Sequence, residues 1–292
     1  MQQDKLTGRI FSYIGGLANI YVASQDSFIK AKAKGIFRHD KMEYKPMVGD
    51  YVKLTAVNDT EFVISEILER DNSLIRPKVA NVDEVILIQS VKEPDLNLFL
   101  LNKYLAFFES RIGTVKIALS KIDLLSETEK QQVRDIIAMY RHDGYTIYDL
   151  SQESDFLDLK TDLSSKTVCL AGNSGVGKST LLNRIDANLA LRTQEISKAL
   201  NRGKHTTTNV GIVQYQNGYL IDTPGFSSLE VNLTKEQLAY SFHDFREISC
   251  QCKFSNCLHL NEPQCAIKQA VIDTKISQLR YDDYLRLMKE IK

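Results

Sequence analysis

Along the first seventy residues, short runs rich in β-branched and aromatic side chains alternate with turn signals. Arg9-Ile10-Phe11-Ser12-Tyr13-Ile14 stops at Gly15-Gly16, and Asn19-Ile20-Tyr21-Val22 follows. Next come Phe28-Ile29-Lys30-Ala31-Lys32-Ala33, the breakers Pro46 and Gly49, Tyr51-Val52-Lys53-Leu54, an Asn58-Asp59 turn and Phe62-Val63-Ile64. Five short strands at this spacing predict a small closed barrel of the OB type. From about Val82 the texture changes. Val85-Ile86-Leu87-Ile88 is a continuous apolar run, Asn97 to Phe108 carries leucines and aromatics at helical spacing, and Val115 to Leu119 reads as a strand. Glu127 to Tyr140 reads as a helix, and Tyr145 to Tyr148, Thr167 to Ala171 and Gly218 to Asp222 as strands. Such alternation specifies a doubly wound α/β sheet whose ligand site lies at the carboxyl ends of the strands. The last block is helical and surrounds a cysteine cluster. The expected class is therefore α/β, with an OB-type barrel over 1–72, a P-loop domain over 73–232 and a helical metal-binding domain over 233–292.

Composition narrows the partners. The 292 residues carry 37 lysines and arginines against 37 aspartates and glutamates, so no global positive field gathers nucleic acid and any such contact must be local. Lys30, Lys32, Lys34, Arg38, Lys41 and Lys45 stand against only Asp40 and Glu43, which fits either a strand edge protected by lysines or an RNA-contacting face. An apolar share of 43% and a charged share of 25% exclude a mainly disordered chain. The segment Met1–Lys5 has no apolar core for a signal peptide, and no run approaches the ~18 apolar residues of a membrane span. A monomeric cytoplasmic protein with no membrane partner is expected.

Gly172-Asn173-Ser174-Gly175-Val176-Gly177-Lys178-Ser179 fits GxxxxGK[ST], follows a strand run and precedes a helical one. Glycines let successive backbone N–H groups face a phosphate, and the helix start at Thr180 adds partial positive charge. Lys178 would bridge the β- and γ-phosphates and Ser179 would ligate Mg²⁺.

Base choice must come from elsewhere. Ser120-Lys121-Ile122-Asp123 follows a strand run, and a carboxylate at Asp123 could accept two hydrogen bonds from guanine, which adenine cannot supply. Lys160-Thr161-Asp162 shares the KxD pattern but follows no strand. Asp222-Thr223-Pro224-Gly225 ends a strand run; Asp222 would hold Mg²⁺ through water and the Gly225 N–H would meet the γ-phosphate. Between these motifs, Asn201 to Thr208 is polar and basic with no apolar period, as a switch loop ordered by γ-phosphate and Mg²⁺ would be. Ordinary GTPases place the base motif after DxxG, whereas here it precedes the phosphate loop by some fifty residues. The domain is read as circularly permuted, with the chain running from the switch strand directly into the cysteine block.

Cys252-x₄-Cys257-x-His259-x₅-Cys265 supplies three thiolates and one imidazole, suited to a single closed structural zinc site. Cys250 is a fifth candidate ligand, read as a free thiol, and Cys169 is read as a buried apolar residue.

Barrel, permuted motif order, the Gly203-Lys204-His205-Thr206-Thr207-Thr208 loop and the cysteine spacing together resemble the bacterial small-subunit-dependent GTPase A family (RsgA, YjeQ or YloQ) over essentially the whole chain. The resemblance implies a GTPase acting late in small ribosomal subunit maturation, bound to its rRNA near the decoding region and stimulated by the subunit. It makes His205 catalytic and assigns Thr207, with Thr206 second, to Mg²⁺. Ser120 stands where that family usually has Asn or Thr. Phe226 occupies the place of the glutamine that orients water in many GTPases, so intrinsic hydrolysis should be slow and His205 is the nearest group able to orient water. The competing readings are a P-loop ATPase or kinase in which Asp123 is structural, and a nucleotide-gated RNA-binding module with little turnover.

Overall fold

A computed structural model of the chain describes residues 6–34, 45–58, 60–75, 77–189, 210–223 and 232–291. His205, Thr206, Thr207, Gly225 and Phe226 lie outside the described residues, as do Arg38, Lys41 and the rest of Asn201–Thr208. The chain divides into two compact units, one drawn from Met1–Asp83, Leu163–Leu170 and Ser179–Pro224, the other from Glu84–Asp162, Ala171–Lys178 and Gly225–Lys292.

In the first unit, β1 (Leu6–Ile14), β2 (Leu17–Val22), β3 (Ser27–Ala33), β4 (Tyr51–Ala56) and β5 (Phe62–Ile67) close into the expected barrel in the order β1-β2-β3-β5-β4. Period-two alternation sends Ile10, Ala18, Ile20, Val22, Ala31, Val52, Leu54 and Ile64 into one dry core. Phe11 is the extra residue of a bulge in β1, and its ring meets those of Tyr21 and Phe28 at 5.6 and 5.2 Å. Buried Asp50 accepts a bidentate pair from Arg70, at 2.7 and 2.8 Å, and a third bond from the Met47 N–H. Two short strands, β6 (Ser73–Leu74) and β7 (Val79–Ala80), pair behind the barrel.

The same unit contains all but the last residue of β11 (Thr167–Ala171), which runs parallel to β13 (Gly218–Asp222), with β12 (Gly211–Tyr215) antiparallel to β13. Tyr219 of β13 packs on the barrel: the Arg9 guanidinium lies over the rings of Tyr51 and Tyr219 at 5.0 and 4.7 Å, and Phe11 meets Tyr219 edge-on at 5.5 Å.

In the second unit, β8 (Glu84–Ser90), β9 (Val115–Ser120) and β10 (Ile147–Asp149) run parallel in the order β10-β9-β8. Helices α1 (Leu98–Glu109), α2 (Glu127–His142) and α3 (Glu153–Asp162) alternate with them. Ser126 and Glu129 form a capping box that starts α2 where the sequence places it. The strand expected at Tyr145 begins instead at Ile147, because Tyr145 closes the end of α2: its N–H donates to the Tyr140 carbonyl and its hydroxyl accepts from Arg280. Neither α3, which buries only Phe156 and Leu159, nor β12 is marked by the sequence pattern. Lys160-Thr161-Asp162 lies at the end of α3 and so is not a strand-end loop, as expected.

Among the described residues five more α-helices follow: α4 (Lys178–Ile185) after the phosphate loop, then, in the C-terminal block, α5 (Lys235–Ala239), α6 (His243–Ser249), α7 (Ala266–Ile272) and α8 (Gln278–Glu290). Arg280 of α8 is fully buried between the rings of Tyr145 and Phe242, each 4.6 Å away, and bonds Asp244, Asn102 and Tyr145. Among the described residues no helix is long and apolar enough to cross a membrane.

Candidate nucleotide and metal sites

The phosphate-loop candidate occupies the turn between β11 and α4. Gly172 is required by proximity: a Cβ there would lie 2.5 Å from the Ile88 carbonyl oxygen and 2.9 Å from Val176 Cγ2. Gly177 has φ +96°, a backbone state other residues rarely adopt. Lys178 folds back to donate to the Gly172 and Asn173 carbonyls at 2.5 and 3.1 Å, which places its ammonium at the loop. Ser174 and Gly175 are exposed at the tip, Val176 is buried beneath it, and Ser179 and Thr180 are exposed in the first turn of α4.

The base-motif candidate leaves β9 immediately beside this loop. Ser120 is buried, and its hydroxyl donates to the Val176 carbonyl at 2.6 Å. Its own carbonyl accepts from Val91. Ser120 is thus a brace between the two motifs, with its hydroxyl committed to the loop. Lys121 takes φ +64° and donates from Nζ to the Glu93 carbonyl. Ile122 is buried, while Asp123 is exposed and borders a cleft of about 700 Å³ that also touches Lys130, Arg134, Ser151 and Gln152. The loop after β10 reaches the same end of the parallel strands, since Leu150 donates to the Leu119 carbonyl at 3.0 Å and Asp149 caps Ser151. Ser151 and Gln152 were not singled out in the sequence, where a short polar loop carries no signature.

In the other unit, Asp222 ends β13 in register with Leu170 of β11. The next residue, Thr223, is fully buried and donates to the Leu170 carbonyl at 2.7 Å, which fixes where the chain departs after the strand.

The cysteine cluster assembles as spaced. One ligand atom from each of Cys252, Cys257, His259 and Cys265 falls within 4.8 Å of every other. His259 Nδ1 lies 3.7 Å from Cys252 Sγ and 3.5 Å from Cys265 Sγ. With metal–sulfur bonds near 2.3 Å and metal–nitrogen bonds near 2.0 Å, the edges of a tetrahedron are roughly 3.5–3.8 Å, so the donor set fits a tetrahedral cation. Burial lowers the His259 pKa and keeps the imidazole neutral, the form that ligates. Burial pushes the Cys257 thiol up to about 12 and raises Cys265 too, a penalty on the thiolate form that a divalent cation would offset. Glu262 holds the ligand turn by accepting from the Leu258 and Leu260 N–H groups. Cys250 is exposed and outside the group of four, and Cys169 is buried in β11.

Comparison with known proteins places the whole arrangement. The family model described as RsgA GTPase matches residues 67–232, and that described as RsgA N-terminal domain matches 7–64. The chain belongs to the RsgA GTPase family. A curated member from Ureaplasma urealyticum, named small ribosomal subunit biogenesis GTPase RsgA, is 53% identical over 94% of this chain and 91% of its own length. Its namesake in Bacillus subtilis is 44% identical over 98% and 97%. The crystal structure of YloQ, titled a circularly permuted GTPase, superposes with a TM-score of 0.78 at 35% identity over 99% of this chain and 96% of that one. YjeQ from Thermotoga maritima gives 0.79 at 32% identity, covering 98% of each. The likeness to these two solved structures extends over nearly the whole of this RsgA-family chain.

Proposed function

We propose that the chain binds GTP with its phosphates on Gly172, Asn173, Ser174, Gly175, Val176, Gly177, Lys178, Ser179 and Thr180 and its base against Lys121, Ile122 and Asp123, and hydrolyses it to GDP and phosphate. The observation that carries this reading is the hydrogen bond from Ser120 to the Val176 carbonyl, which seats a carboxylate loop suited to guanine against a loop suited to phosphate. Family membership supports GTP as the nucleotide and hydrolysis as the outcome. Ser179, Thr207 and Asp222 would hold Mg²⁺, which supplies charge neutralisation to the phosphates. Gly225 would contact the γ-phosphate, and His205 would orient water, since the Phe226 ring cannot. The Cys₃His set would hold one structural zinc ion.

The relatives' names support the small ribosomal subunit as the body on which this cycle runs, with its rRNA as a contact and subunit-stimulated turnover as the working state. We assign the barrel to 1–72, the permuted GTPase to 73–232 and the zinc-bearing helices to 233–292, in a monomer acting in the cytoplasm. The test has two arms. GTP should bind far more tightly than ATP, and Asp123→Asn should weaken GTP by about a hundredfold or more through loss of two charge-assisted bonds. Purified small subunits should raise phosphate release; equal affinity for ATP, or a flat response to subunits, overturns the corresponding half.

A further inference from the structure

Helix α1 is gripped at both ends of a single line of contacts. Toward the phosphate loop, the Tyr104 hydroxyl donates to Asn173 Oδ1 at 2.8 Å, and Tyr104 is only 4% exposed. Burial raises its pKa, so the phenol stays protonated as a donor throughout the physiological range. Toward the C-terminal block, fully buried Asn102 donates to Asp283 at 2.6 Å and accepts from Arg280 and Tyr140. At its last residue, Glu109 accepts from the His243 backbone and its carbonyl from Arg246. Helix α8, which supplies Arg280 and Asp283, also holds the ligand turn through Tyr281 on the His259 carbonyl and Tyr284 on the Leu258 carbonyl.

Asn173 is where this line can affect nucleotide. Its backbone carbonyl already faces Lys178, and the Gly172 before it admits no side chain. With the side chain also held, residue 173 has little freedom left, and the N–H groups that follow inherit its direction. A loop whose donors are fixed before the ligand arrives loses less ordering entropy on binding.

We propose that Tyr104 is a positioning residue for the phosphate loop and that α1 thereby couples nucleotide affinity to the packing of α8. This rests on the nucleotide reading above. The coupling is reciprocal: whatever shifts α8 changes nucleotide affinity, and nucleotide stabilises the α8 contact by the same factor.

The experiment measures dissociation constants for a fluorescent GDP derivative on the full chain. Variants are Tyr104→Phe, Asn173→Ala, their combination, Asp283→Ala, and Asp283→Ala with Tyr104→Phe. Tyr104→Phe keeps the ring and its packing, and the thermal midpoint of each variant monitors the fold. Tyr104→Phe and Asn173→Ala should each weaken binding about three- to tenfold, and the double variant no more than the worse single one. Asp283→Ala should weaken binding in the wild-type background and have no further effect beside Tyr104→Phe. Wild-type affinity in Tyr104→Phe, or fully additive losses, overturns the positioning role. An Asp283→Ala effect that is absent, or equal in both backgrounds, overturns the coupling. Failure of the unmodified chain to bind the probe refutes the nucleotide reading itself, and the proposal with it; that result is distinct from every variant outcome.

Discussion

Ser120 and Val176 lie 56 positions apart in the chain, yet the serine hydroxyl donates to the valine carbonyl at 2.6 Å. Permutation of the motif order has therefore left the two loops adjoining. A hydroxyl serves here because the acceptor is a buried backbone carbonyl one short side chain away.

Ser120→Ala removes that donor and leaves the Val176 carbonyl short of a partner, with Val176 itself only 1% exposed. The expected loss is about 1–3 kcal/mol in denaturant unfolding. The preference for GTP over ATP should survive, because Asp123 is untouched. Loss of base selectivity in Ser120→Ala would instead mean that the hydroxyl reads the base.

Arg280→Ala should be far more damaging. It strips the cation from buried Asp244 and Asp143 and the donor from Tyr145 and Asn102 at one stroke. Breaking a buried pair in this way costs about 3–5 kcal/mol, so the thermal midpoint should fall steeply or the variant should be recovered unfolded.

Titration of His243 makes a pH-dependent contribution to stability. Burial would lower its pKa, but the Glu109 carboxylate, 3.6 Å from Nδ1, outweighs burial and raises it; Asp244 acts with Glu109, and Arg280 against it. A raised folded-state value means that protonated His243 stabilises the native chain. The contribution is full below about pH 6.5, the ordinary value, and fades as pH rises through the folded pKa. Thermal midpoints should decline over that window, and Glu109→Gln should flatten the decline; an identical pH profile in that variant would rule the pair out as its source.

Metal affinity should run in the opposite direction. The thiols of Cys257 and Cys265 are raised by burial, so binding must expel protons, and affinity should climb by up to about tenfold per pH unit for each proton released. Competition with a colorimetric chelator between about pH 6.5 and 8.5, with metal analysis giving one zinc per chain, checks both claims. Cys257→Ser should lose the metal, whereas Cys250→Ser should retain it. A pH-independent affinity would show that the ligands are already ionised.

Legibility in the sequence followed the range of the interactions. Alternation in β2 exposed the barrel because each strand writes its own inward face, and the phosphate-loop glycines Gly172, Gly175 and Gly177 lie within six residues of chain. Cys252, Cys257, His259 and Cys265 lie within fourteen residues, so their spacing alone placed them in one cluster. Tyr104 resembled any aromatic on an apolar helix; its partner lies 69 positions away and no local pattern marks it. Arg280 was equally silent, since its bonded acid Asp244 is 36 positions distant and Asn102 is 178. Short α3 escaped because two buried side chains make too faint a helical period.

Among the described residues every strand of the barrel, β1 through β4 by way of β5, has a neighbour on both sides, and of β3 only Ala31–Ala33 are in register with β5. Paired on both sides, most strands of this barrel give strand addition little edge to use. Whatever it grips must be held by what projects from its wall, where the half-bare ring of Phe28 and the ammonium groups of Lys30 and Lys32 stand, so its selectivity should respond to point changes there and hardly at all to changes in backbone pairing.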